Sequence, residues 1–256
     1  MEAVSAAADP AAAEAAAGRP FTHIFHMKKR YIIFDFDGTV ANTNNIITAS
    51  WQATLENYLG RSLPVREIEA TFGEVLADSI ARLIPDAPVN EVVDYYRAYQ
   101  DSHQKDHEVY VFEGVRDMLK ELRNRGCIIG VGTSRTEYSF IRYMEKLDLM
   151  DLVDVTVTIN DVKSHKPDPE TIDAVLLKMM AYCNEPCDAD GMIPDSVRDA
   201  ALMVGDTKYD IGCANNAGVD SVMVGWSHYV DEEDMLAAGF VPTYRMETPG
   251  ELLEII

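Results

Sequence analysis

The chain has 256 residues, 47% of them apolar, enough for one large domain or a domain that carries an insert. Its net charge of -21 and sequence pI near 4.5 argue against a general nucleic-acid or anionic-membrane surface, since both need basic patches. No apolar run reaches the length of a membrane span, so no membrane partner is expected.

The first 26 residues are Ala-rich and include Glu2, Asp9 and Glu14. They lack the basic start and continuous apolar core of a secretory signal. They read as a disordered or marginally helical tail, with Met27 as an alternative start of the functional chain. The four cysteines do not form a disulfide framework. Cys127 and Cys213 sit in apolar patterns as small core residues, and Cys183 and Cys187 flank Asn-Glu-Pro with no second Cys/His pair nearby. A cytoplasmic location is the default expectation.

After Lys28–Arg30, the apolar run Tyr31–Phe34 reads as a strand buried on both faces. It runs into Asp35 and Asp37, which strand alternation would turn to the same side, and stops at Gly38. Two carboxylates so placed repel unless something positive, such as a divalent cation, lies between them. Ile47, Trp51, Leu55 and Leu59 mark an amphipathic helix from Asn45 to Leu59. Further helices are predicted over Val75–Leu83 and Glu91–Tyr99, with no strand between Thr43 and His107.

Then strands and helices alternate. A helix led by Val115, Met118, Leu119 and Leu122 closes at Gly126. Cys127–Thr133 is a predicted strand, Glu137–Leu147 a helix, Val153–Ile159 a strand, and a helix follows Lys166–Glu170. Ala201–Asp206 and Asp220–Trp226 are further strands, with a helix over Asp231–Ala238. This order predicts an α/β fold, a doubly wound parallel sheet of Rossmann-like form, with an inserted all-helical cap. The expected division is a core over 27–44 and 111–256, with the cap over 45–110.

Sites in such sheets lie beyond the carboxyl ends of the strands. Those ends carry Asp35 and Asp37, Thr133 and Ser134, and Asp206 with Asp210 one helical turn on; Lys166 lies in a loop before a helix. Carboxylates, a hydroxyl and an ammonium group at one edge suit phosphoryl transfer through an aspartyl phosphate.

The stretches DFDGT, GTSR, KPDPE and GDTKYD resemble, in order, the four motifs of the haloacid dehalogenase superfamily. The helical insert resembles the cap of its phosphoglycolate phosphatase-like branch. The resemblance extends to VFEGVRDMLKELRNRG and to VGWSHY. It implies Asp35 as nucleophile, Asp37 as general acid and base, Thr133 as a ligand of the transferring phosphoryl group, and Lys166 offsetting charge. It implies Mg²⁺ held by Asp35, Asp206 and the backbone carbonyl of Asp37, with Asp210 supporting that shell. The implied function is a phosphatase for a small phosphorylated metabolite, with 2-phosphoglycolate the best named substrate. Inorganic pyrophosphate and nucleotide monophosphates stay open, a sugar-phosphate mutase is weaker, and a non-catalytic descendant weakest.

Family dehalogenases lack an acid at the position of Asp37. No Lys lies between Lys29 and Lys105, against a phosphonate hydrolase, and no His between His26 and His103, against a mutase. Asn42 stands where many relatives have Asp. Ala181–Arg198 is longer than usual and would alter a surface or an interface. For substrate, Ser134 joins Thr133. Arg135 would reach an anion or lie on the surface. Gly73, in the loop Thr71–Glu74, would allow close approach to the site or mark a plain interhelical turn. Monomer and homodimer are both open.

Overall fold

The computed structural model describes residues 28–227 and 232–256. The Ala-rich tail, Met27 and the His-Tyr of VGWSHY lie outside the described residues. The apolar run forms β1 (Tyr31–Phe34), and every residue in it is buried. A two-residue strand β2 (Ala41–Asn42) follows, then helices α1 (Asn44–Leu59), α2 (Val65–Glu69), α3 (Leu76–Leu83) and α4 (Val89–His103). Strand β3 (Tyr110–Val111) returns to pair antiparallel with β2, Asn42 facing Tyr110. The chain continues through α5 (Val115–Asn124), β4 (Ile128–Gly132), α6 (Glu137–Lys146), β5 (Val155–Val157) and α7 (Glu170–Tyr182). Helix α8 (Asp195–Asp199), β6 (Ala201–Gly205), α9 (Lys208–Ala217), β7 (Asp220–Val224), α10 (Glu232–Ala237) and β8 (Tyr244–Met246) complete the order.

The main sheet is six-stranded, in the order β5-β4-β1-β6-β7-β8, with every pairing parallel. β1 lies near its middle, between β4 and β6. Its alternation divides the core. Ile32 and Phe34 face a layer with Met118, Leu119, Phe140 and Leu252. Tyr31 and Ile33 face the opposite layer with Ile172, Val175, Cys213 and Ala214. The sheet is thus covered by α5 and α6 on one side and by α7 and α9 on the other, which is why its central strands β1, β4 and β6 read as largely apolar runs.

Helices α1–α4 bury a hydrophobic cluster of their own, around Trp51, Leu55, Ile68, Ile80, Val92 and Tyr96. Trp51 and Tyr96 meet edge to face at 5.3 Å between ring centroids, a favoured aromatic geometry. The buried face of α1 is rotated from the predicted stripe. Ile46 is fully buried against the sheet's core, while Ile47 is only half-buried. Helix α1 therefore serves both clusters.

α2, α8, β2, β3 and β8 are absent from the predicted elements, and α4 runs past both ends of the expected Glu91–Tyr99. The helix expected to begin at Asp231 is described from Glu232, since Asp231 lies outside the described residues. The long stretch after α7 lies at the end of the sheet opposite Asp35. There Glu185 accepts hydrogen bonds from Arg30 and from the Tyr31 hydroxyl. The segment is thereby pinned to the first residue of β1. Cys127, Cys183, Cys187 and Cys213 are all free thiols, and burial pushes Cys127 and Cys213 up to about 12.

Candidate active site

The carboxyl end of β1 hands the chain straight to Asp35, whose backbone N–H still donates to Val204 of β6. The sheet ladder therefore sets the position of that carboxylate. β6 delivers Asp206 in the same way, one residue beyond its end. Asp210 sits in the first turn of α9, where its Oδ2 accepts from the Thr207 backbone at 3.1 Å and the Thr207 hydroxyl at 2.7 Å. This reciprocal cap fixes a carboxylate at the helix start, where the dipole favours negative charge.

Asp35, Asp206 and Asp210 each offer an oxygen within 4.8 Å of the others, and all three are buried. Lys166 lies among them, its Nζ donating to Asp35 Oδ1 and to Asp210 Oδ1, each at 2.6 Å. Asp206 is held instead by hydroxyls, Ser227 at 2.7 Å and Thr39 at 3.2 Å. Burial pushes Asp35 up to about 7, with Lys166 opposing and Asp210 and Asp37 adding to the rise. Asp206 is raised by burial and by its two acidic neighbours. Burial works against the Lys166 ammonium, but Asp210 and Asp35 outweigh it and strengthen its hold on the proton.

Three buried acids against one ammonium leave a surplus of negative charge. A hard divalent cation with oxygen ligands fits that surplus. The backbone is shaped around the same point. Gly38 has φ of +76°, and a Cβ there would fall 1.9 Å from Asp206 Oδ2. Only glycine permits both the turn and the approach.

Asp37 does not join this trio. Its carboxylate is clasped by Arg135, whose Nε lies 2.7 and 2.9 Å from the two oxygens and whose Nη2 lies 2.6 Å from Oδ1. The Thr43 hydroxyl adds a hydrogen bond at 2.5 Å. Each of the two acids ending the first strand thus has its own cation, Lys166 for one and Arg135 for the other. Arg135 is not the surface residue that one sequence reading allowed. Its guanidinium is buried, stands 4.5 Å over the Tyr143 ring and donates to Ser139 at 2.8 Å.

The other expected residues meet at the same edge. Thr133 is buried just past β4, and its hydroxyl accepts from the Arg135 backbone at 3.2 Å. The Ser134 hydroxyl donates to the Gly73 carbonyl of the helical insert at 3.3 Å. Gly73 has φ of +79°, and a Cβ there would lie 2.6 Å from the Thr207 hydroxyl. The Thr71–Glu74 loop therefore touches the sheet's edge rather than forming a remote turn.

A cleft of about 130 Å³ opens between them. Asp35, Asp37, Asp206 and Arg135 line its floor, while Trp51, Gly73, Tyr96 and Arg97 line the insert's side. Sequence reasoning missed Thr39, Thr43 and Ser227 as supports and Arg97 as a lining residue. Thr39 lies inside the DFDGT stretch, the one signal that could have found it.

The haloacid dehalogenase-like hydrolase family matches this chain over residues 32–224. The pyrophosphatase PpaX of Bacillus pumilus is 30% identical over 88% of this chain and 95% of its own. The pyrophosphatase PpaX of Halalkalibacterium halodurans is 29% identical over 90% of this chain and 98% of its own. A solved haloacid dehalogenase-like hydrolase from Streptococcus pneumoniae shares the fold, with a TM-score of 0.70 at 21% identity over 89% of this chain and 98% of that one. The matched span contains Asp35, Asp37, Thr133, Lys166, Asp206 and Asp210, and the chain belongs to the haloacid dehalogenase-like hydrolases, as a phosphatase of that family.

Proposed function

We propose that this phosphatase uses Mg²⁺ to hydrolyse a small phosphorylated metabolite through a phosphoaspartate on Asp35, and that inorganic pyrophosphate is favoured over 2-phosphoglycolate. The buried Asp35–Lys166–Asp210 cluster at the end of β1 carries this reading. It offers a carboxylate oxygen beside a fixed positive charge, in a cleft sized for a small substrate. The two pyrophosphatase relatives support the choice of substrate.

Bound Mg²⁺ would neutralise charge on the phosphoryl oxygens, with Asp35, Asp206, Asp210 and the Asp37 carbonyl as the groups to hold it. An Asp35 oxygen attacks phosphorus, and the bond to the leaving oxygen breaks. Asp37, once out of the Arg135 clasp and carrying a proton, gives it to that oxygen. Asp37 then takes a proton from the water that attacks the phosphorus of the phosphoaspartate. Phosphate leaves, and the Asp35 carboxylate is restored. Thr133 and Ser134 hydrogen-bond the transferring group, and Lys166 offsets its charge throughout.

Phosphate release by pure protein from pyrophosphate, 2-phosphoglycolate and nucleotide monophosphates, with and without Mg²⁺, tests the reading. Turnover should require the metal and be greatest on pyrophosphate. Asp35→Asn should abolish it, because an amide is a poor nucleophile. Substantial turnover by verified Asp35→Asn protein would overturn the assignment.

A further inference from the structure

Among the described residues, most charges around the cleft are paired. Asp35 faces Lys166, and Asp37 faces Arg135. Glu74 is bound by Arg82 at 2.6 Å and by the Ser79 hydroxyl at 2.5 Å. Asp206 is held by Thr39 and Ser227 and belongs to the acid trio that suits a cation. Among the described residues, Arg97 is the lining cation without a carboxylate partner. It stands on α4, whose Tyr96 and Gln100 line the cleft with it, opposite the floor that carries Asp35.

We propose that Arg97, on the insert's side of the cleft, binds the anionic leaving portion of the substrate. The reasoning is one of placement. The phosphoryl group to be transferred must sit on the floor, at Asp35. The remainder of the substrate then projects towards the insert, where Arg97 meets it. Both candidate substrates carry negative charge on that remainder, a second phosphate in pyrophosphate and a carboxylate in 2-phosphoglycolate. Guanidinium suits either through paired N–H donors. Arg97 is exposed and has no ion pair with a described residue, so replacing it breaks no salt bridge among the described residues.

This inference rests on the phosphatase reading but is tested apart from it. The probes are imidodiphosphate, which spans both positions, and orthophosphate, which fills only the floor. Binding is measured by calorimetry with Mg²⁺ for wild type, Arg97→Gln and Arg97→Lys. Arg97→Gln should weaken imidodiphosphate by about 10-fold or more, the scale of a lost charged hydrogen bond, and leave orthophosphate within about 2-fold. Arg97→Lys should recover part of the loss. In turnover, Arg97→Gln should lose at least that factor in kcat/KM on pyrophosphate and 2-phosphoglycolate, but not on p-nitrophenyl phosphate, whose leaving portion carries no separate anion. Equal weakening of both binding probes, no weakening of either, or failure of imidodiphosphate to bind wild type would overturn the subsite. Wild-type preference for 2-phosphoglycolate over pyrophosphate would overturn the substrate choice and leave the subsite standing.

Discussion

Lys166 holds together two carboxylates that would otherwise repel. It is buried, as are Asp35 and Asp210 on either side, and Asp206 adds a third acid with no ammonium in contact. Such an arrangement strains the metal-free fold, and the strain depends on pH. Burial, opposed by Lys166, pushes Asp35 up to about 7, against 3.8 for an ordinary Asp. Between those values the folded protein keeps a proton that the unfolded chain has lost. Stability contributed by this group is therefore fully present below the lower value and is lost as pH rises through the higher one. In EDTA, wild type should lose up to about 1.4 kcal/mol per pH unit between about pH 5 and 7 relative to Asp35→Asn, as read from urea unfolding. Mg²⁺ should flatten that slope, because it favours the ionised ligand. A slope identical in wild type and Asp35→Asn would rule out Asp35 as its source.

Among the elements, the Thr71–Glu74 loop joins the insert to the sheet's edge, where the Ser134 hydroxyl donates to the Gly73 carbonyl. Gly73→Ala combines a left-handed backbone with a Cβ set 2.6 Å from the Thr207 hydroxyl. The conformation alone costs about 1–2 kcal/mol for a residue with a side chain. The close contact adds to it by lifting the loop. The expected result is a modest fall in melting temperature and a larger rise in KM for pyrophosphate. An unchanged KM would mean that the loop does not shape the cleft. This loop was legible in the sequence because glycine interrupts a helical pattern. So were β1, β4 and β6, whose apolar runs reflect burial on both faces, and β5 and β7, which alternate or begin polar. β8 was not, because Tyr244 is half-buried, Arg245 is exposed and only Met246 is buried, which leaves no apolar run to read. β2 and β3 were invisible for another reason. Each has two residues, and their pairing joins Asn42 to Tyr110 across the whole insert. The clasp of Arg135 on Asp37 also escaped notice, since it links positions 98 residues apart. Local periodicity reports which face a residue presents and is silent on which distant side chain it meets.

At the scale of the whole molecule, the insert leaves and rejoins the sheet's domain through the paired strands β2 and β3. Because Asn42 faces Tyr110, the two crossings lie side by side, at the spacing of a hairpin. Residues 43–109 should therefore be replaceable by a two-residue Asn-Gly turn, the favoured closure for such a ladder. The shortened protein should fold, less stably for the loss of Ile46 and Val109 from the sheet's core, and bind Mg²⁺, since Asp35, Lys166, Asp206 and Asp210 all lie outside the excised segment. Its discrimination among phosphorylated substrates should fall far more than its metal affinity. We also expect the full chain to become more compact in small-angle scattering when Mg²⁺ and imidodiphosphate are added, as closure of a lid over the cleft requires. An unaltered scattering profile, together with full selectivity in the shortened protein, would place specificity in the loops of the sheet's edge. The two-strand ribbon has a consequence for descent as well. A gene can lengthen, shorten or exchange what lies between its strands without disturbing a single pairing of the main sheet. The acids at the strand ends and the lining of the insert are thus open to separate histories.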